Sequence, residues 1–119
     1  MKLITVVNAK KTLEAFANKE DIGAHLAYWM TKFVVKAQSE HEFYVNGVNK
    51  IIQKYAEKID DEYVVSKDKI EDLNKEMSSF EETDVEAPDI KFALSELSSE
   101  LKLSMKQMYT LLDFVDEDK

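Results

Sequence analysis

The chain has no cysteine and no arginine, and in 119 residues only two glycines and one proline. Without cysteine there is no disulfide, no thiolate metal site and no cysteine nucleophile. That composition fits a reducing compartment. Without arginine there is no bidentate fork for phosphate or for a base edge; all sixteen basic residues are lysine. With glycine only at positions 23 and 47, no glycine-rich phosphate loop can be built. Neither a G-x-S-x-G nucleophile turn nor the residue order of a calcium loop occurs. No apolar run reaches the length that spans a bilayer. The stretch Leu3-Ile4-Thr5-Val6-Val7 is too short for a signal peptide and no small-residue cleavage site follows it. A cytoplasmic chain that does not touch a membrane is the expectation.

What is present is acid, unevenly placed. The net charge is −8. Residues 1–58 carry nine Lys against six Asp and Glu, a balance of +3, and residues 59–119 carry seven Lys against eighteen, a balance of −11. An acidic half repels a phosphate backbone, which argues against direct nucleic-acid binding. A localised acidic surface attracts a basic protein, and it also keeps a chain soluble.

The longest organised stretch covers residues 22–59. Ile22, Leu26, Trp29, Phe33, Ala37, Tyr44, Val48, Ile51, Tyr55 and Ile59 recur at steps of mostly three or four, and Met30, Val34 and Ile52 widen the stripe. That is a 3.6-residue period, not the alternation of a strand. One long helix is expected, with a single long step that passes His41. It would run roughly 57 Å, whereas a compact domain of this length has a radius of gyration of about 13–14 Å. Either one end protrudes or the helix bends, with Gly47 the natural bend. Trp29, Phe33, Ile51, Ile52 and Tyr55 are the expected core. Tyr28, Met30 and Tyr44 are candidates for an apolar interface if that face is uncovered.

Around this helix the chain reads as short pieces. The β-branched stretch 3–7 predicts a strand. Asn8 can cap a first helix that buries Leu13, Phe16 and Ala17, and Asp21 can cap the long one. Asp60-Asp61-Glu62 is a charged turn and Tyr63-Val64-Val65 a second strand. Ser66 or Asp68 opens a helix with Ile70, Leu73, Met77 and Phe80 on one side. Residues 81–89 hold five carboxylates, Glu81, Glu82, Asp84, Glu86 and Asp89, and the only proline, Pro88, which excludes helix. Residues 90–101 fit either a helix or a strand end. Ser104 with Gln107 is a capping box that opens a last helix with Met105, Met108, Leu112 and Val115 inward. Asp116, Glu117, Asp118 and Lys119 form an acidic tail. The fold class is therefore α+β, mostly α-helical: one long central helix, shorter helices and a small two- or three-stranded sheet, in a single domain over 1–119.

The chemistry-bearing residues are few. His25 and His41 lie about 160° apart around one helix and cannot share a ligand. Glu40-His41-Glu42 places neighbours that point apart. No catalytic residue and no cofactor or metal site is expected, and the chain reads as a non-enzyme.

Several pieces line up together. Asn8-Ala9 follows the β-branched stretch, and the long helix ends in Lys54-Tyr55. Leu73-Asn74-Lys75-Glu76 precedes the acidic stretch. Lys102-Leu103-Ser104 opens a last helix with Leu111-Leu112-Asp113-Phe114-Val115. In this order the chain resembles a family of small proteins of unknown function encoded in bacteriophages and prophages. It departs from that family in the short turn Ile59-Asp60-Asp61-Glu62, where a longer glycine-containing turn is usual. The resemblance implies a viral origin and carries no catalytic residues. Two functions are expected from it together with the charge. One is a protein that binds and modulates a host defence or nucleic-acid protein in the host cytoplasm, through Glu81, Glu82, Asp84, Glu86 and Asp89. The alternative is a virion or assembly component, such as a neck, tail or scaffold subunit, that forms a homodimer or larger oligomer through the long helix.

Overall fold

The computed structural model describes residues 1–117. Its elements are helix α1 (Leu3–Glu14), α2 (Ala24–Lys36), α3 (Gln38–Tyr55), strands β1 (Ala56–Ile59) and β2 (Glu62–Val65), α4 (Lys67–Glu81), β3 (Phe92–Ala93), α5 (Leu94–Glu100), α6 (Met105–Leu111), a 3₁₀ turn (Leu112–Phe114) and β4 (Val115–Asp116). The class is α+β and mostly helical. The sheet content is an antiparallel β1–β2 hairpin and a parallel β3–β4 pair with Phe92 opposite Val115. Asp118 and Lys119, the end of the expected acidic tail, lie outside the described residues; Asp116 sits in β4.

The central element is α1. The β-branched stretch 3–7 is helix, not strand. Leu3, Val6, Val7, Ala9, Lys10 and Leu13 are buried, on a face about 160° wide at 100° per residue. α2, α3, α4 and α6 all pack on it. No strand of the same length could meet four helices, so tertiary cover overrides a weak local propensity. Asn8 lies inside α1 and caps nothing. The core joins Val6, Ala9 and Leu13 to Leu26, Met30 and Phe33 of α2 and to Ile90, Phe92, Leu97, Leu101, Leu111 and Phe114. Phe33 anchors it, with the Phe114 ring edge-on at 4.7 Å and Phe92 at 6.0 Å.

The expected single helix over 22–59 is three elements. α2 buries Leu26, Met30 and Phe33 in the body. At Ala37 the backbone opens to φ −87°, ψ −1° and α3 departs in a new direction. The Ala37 N–H still bonds the Phe33 carbonyl, and the His41 N–H bonds the Ala37 carbonyl. The Ala37 and His41 amides are therefore both satisfied across the turn. It falls in the one long step of the apolar pattern, between Ala37 and Tyr44. The helix stops at Tyr55, where 56–59 pair as β1. Asp21 does not cap α2: Gly23 occupies that position, and its N–H donates to the Glu100 carboxylate.

Gly47 is not a bend. A Cβ built there would collide with the tip of the Phe80 ring at Cζ, so the missing side chain lets α4 press its phenylalanine onto the α3 backbone. The expected core is also redistributed. Phe33 and Ile51 are buried, whereas Trp29 and Ile52 are exposed and Tyr55 is half-buried. In the last helix the capping box forms, with Gln107 N–H on the Ser104 hydroxyl and Ser104 N–H on the Gln107 carbonyl. Its inward residues are Leu111 and Phe114, not Met105 and Leu112, which are exposed. Met105 is the first residue of α6, and after Leu111 the chain tightens into 3₁₀ geometry over Leu112–Phe114.

Past Ala37 the chain builds an arm. α3 and α4 run as a helical pair joined at the far end by the β1–β2 hairpin. The molecule measures 53 × 28 × 25 Å, with a radius of gyration of 17.4 Å. The hairpin pairs Ile59 with Glu62, leaving Asp60 and Asp61 at φ 50° and 66°. Positive φ at both central residues is the type I′ turn that matches strand twist.

Two stability predictions follow from this geometry. Gly47→Ala in an uncrowded helix would stabilise by about 1 kcal/mol; against Phe80 it is expected to destabilise by about 1–3 kcal/mol. Urea denaturation measures the sign, and a more stable variant would refute the close packing. Asp61→Gly removes a left-handed strain of about 1–2 kcal/mol, partly offset by backbone entropy. It should raise the melting temperature, and a lower one would refute the turn assignment.

Candidate functional site

The five acidic candidates fall along the segment that follows α4, and the chain itself engages three of them. The Tyr44 hydroxyl donates to Glu81 at 2.9 Å. Lys2 Nζ reaches Glu82 at 3.4 Å. The Met1 ammonium donates to Asp84 at 2.6 Å and holds its carboxyl below the usual range. Backbone bonds close the same seam: Leu3 N–H to the Thr83 carbonyl and Val85 N–H to the Met1 carbonyl, each 2.8 Å. The segment 82–85 is thus a strap across the start of α1. Beyond it Val85, Ala87 and Pro88 turn inward, while Glu86 and Asp89 face solvent. The strap is sequence-local acid with a structural task, and only Glu86 and Asp89 stand as uncommitted carboxylates.

The three apolar candidates do not form one surface. Tyr28 is exposed on α2, with the Trp29 ring edge-on at 5.2 Å and Lys32 Nζ 5.7 Å from its centroid. Met30, two residues on and so about 200° around α2, is buried in the core with Leu13 of α1. Tyr44 is half-buried on α3. It stacks on Phe80 at 6.0 Å with the rings 11° from parallel, and Lys11 covers its other side. Burial and the Glu81 carboxylate raise its pKa. Met30 and Tyr44 are therefore packing residues.

Two features have no counterpart in the sequence pattern. The first is a buried polar joint between body and arm. Lys10 of α1 is 2% exposed. Its Nζ donates to Glu14 Oε1 at 2.7 Å and lies 2.9 Å from Nδ1 of His41 in the first turn of α3. An ammonium has only protons to offer, so Nδ1 must present its lone pair and the ring must be neutral with its proton on Nε2. Burial lowers the His41 pKa, and the positive charges of Lys10 and Lys11 lower it further, against smaller opposing effects from Glu14 and Glu42. A lysine that is almost never fully buried unless paired thus fixes where α3 leaves α1.

The second feature is the arm surface. α4 has no buried residue and α3 has only Ile51. Phe43, Val45, Ile52, Ile59, Tyr63, Val64 and Ile70 are exposed, Tyr63 to 70%. Val45 and Ile52 lie two turns apart on one side of α3. On another side a groove of about 610 Å³ opens between α3 and α4, with Phe43, Ile51 and Phe80 as its floor and Lys50 and Glu76 on its walls. Sequence spacing shows which residues share a stripe. It does not show whether the same chain supplies the cover.

Among the described residues no group of three or more His, Asp or Glu is placed to hold a metal ion. No helix among them is long and apolar enough to cross a membrane. No family model, curated protein or solved structure matches the chain.

The Lys10–His41 joint predicts a pH response. The folded-state pKa of His41 is depressed, so the unfolded chain binds the extra proton first. Stability should be full above the unfolded value of about 6.5 and fall as pH drops from there toward the depressed folded value. Denaturation between pH 7.5 and 5 should show this decline in the parent and a flatter profile in His41→Gln. Identical profiles would rule out the neutral-imidazole joint.

Proposed function

We propose that this chain is a non-catalytic protein-binding module, with a body fixed around α1 and an arm held out as its contact surface. The observation that carries this reading is the arm itself: 44 residues, 38–81, of which only Ile51 is buried, with seven exposed large apolar side chains where the 73 described residues of the body also expose seven. Exposed apolar residues scattered singly are normal, whereas a grouped set on a protruding element marks a contact site. The likeness to small phage-encoded proteins implies a viral origin, and the exposed arm favours an assembly component, working in the host cytoplasm or retained in the virion. The host-modulator reading relies on the acidic segment, and it is the weaker of the two because Glu81, Glu82 and Asp84 already hold internal partners.

Photo-crosslinking in cells that carry the chain in its natural context tests the reading. A crosslinking residue at Tyr63 or Ile70 should give protein adducts, and one at Glu86 or Asp89 should give few. Adducts from Glu86 and Asp89 alone would return the contact to the acidic surface. No protein adduct from any of the four would remove protein binding altogether.

A further inference from the structure

We infer that the arm is covered by the arm of a second copy of this chain, in an antiparallel, two-fold symmetric pair. The inference rests on the reading of the arm as the contact surface and names its occupant.

Area is the first support. A compact monomer of 13.8 kDa exposes about 6,600 Å². This chain exposes 8231 Å². The difference, about 1,600 Å² per chain, is beyond the roughly 800 Å² that each partner gives to a standard interface and within the range of obligate homodimers. The excess has a location, because the buried core lies almost wholly in the body and the arm contributes Ile51 alone.

Folding is the second. α3 and α4 are 18 and 15 residues long and the hairpin has two four-residue strands. Isolated helices of this length are marginal in water, and so is a two-stranded hairpin. Between them the rings of Phe43 and Tyr44 meet Phe80, and Val48, Tyr55, Leu73 and Met77 are only half-buried. An arm built this way needs cover whenever the chain folds. The partner present in equal amount at that moment is another copy.

Charge sets the direction. Residues 57–62 at the arm tip hold Glu57, Asp60, Asp61 and Glu62 against Lys58, and Asp68, Glu71 and Asp72 follow in α4 against Lys67 and Lys69. A parallel pair would bring two acidic tips together. An antiparallel pair separates them.

The test uses the full purified chain. Light scattering at tens of micromolar should give twice the chain mass of 13.8 kDa. Val64→Glu and Ile70→Glu, both at exposed positions, should shift it to one chain mass with the helical circular dichroism of the body retained. Met105→Glu, 89% exposed on the body, should remain a dimer. Because the chain has no cysteine, Asp60→Cys and Asn74→Cys give unique spin-label sites. The Asn74 pair should lie closer together than the Asp60 pair. A monomeric parent chain would overturn the inference while leaving any adducts from Tyr63 to a different protein in force. A dimer that survives both arm variants, or tips closer together than mid-arm labels, would overturn it as well.

Discussion

The burial of α1 is the constraint on which the rest of this structure depends. Leu3, Val6, Val7 and Leu13 are at most 2% exposed, and the four helices that cover them come from every later part of the chain. The N-terminal stretch therefore cannot fold first as a local unit and wait. Its β-branched residues are poor helix formers, and their helical state is set by what packs on them. The strap at 82–85 belongs to the same constraint. It supplies backbone acceptors and carboxylates to the first turn of α1, where helix amides lack partners, and it aligns Met1 and Lys2 with Val85 and Asp84. Acid placed at a helix N-terminus also favours the helix dipole.

From α1 the arm is fixed at two points of different chemistry. One is polar: Lys10 meets His41 and Glu14 inside the joint, and breaking one member leaves a buried charge without its partner. The other is apolar and works by omission. Gly47 has no side chain, and the Phe80 ring fills that space, with Phe43 at 5.3 Å and Tyr44 stacked on its other side. Both points lie in the first ten residues of α3. Beyond them the arm has only the α3–α4 stripe, the hairpin and surface ion pairs such as Lys54–Glu76 and Lys69–Glu57, and pairs of that kind contribute little stability. The joint is over-determined and the arm beyond it is thinly held. That contrast is what a rigid mount with an interface at its far end would require.

Parts of this were legible in the sequence. The capping box at Ser104 and Gln107 has a mechanism that depends on two side chains three residues apart, and it forms. The stripe Ile70, Leu73, Met77 and Phe80 is helix and Tyr63-Val64-Val65 is strand, whereas the expected single helix over 22–59 divides at Ala37 and not at Gly47. What was not legible depends on facts outside the local window. Val6 and Val7 read as strand because β propensity describes a half-covered sheet, and here four helices supply a different cover. Met30 and Ile52 share one periodic pattern, yet one is core and the other is surface, because the first lies before the turn at Ala37 and the second after it. Lys10 gave no signal at all: a lysine in a helix reads as solvent-exposed until the histidine that accepts from it, 31 residues later, is placed beside it.

The acidic segment shows why charge alone misdirects a functional reading. Five carboxylates in nine residues look like a surface prepared for a basic partner. Yet net charge constrains solubility and encounter rates more than it identifies a contact, and three of the five turn out to hold the chain's own groups. An apolar side chain in water has no such internal use. Ile59, Tyr63, Val64 and Ile70 contribute nothing to the body, and they are not needed to close the hairpin turn. They stand on a part of the molecule in which only Ile51 is buried. Of the two surface signals, uncovered hydrophobic area on a held-out arm is the one that a physical cost attaches to, and it is the one from which function is inferred.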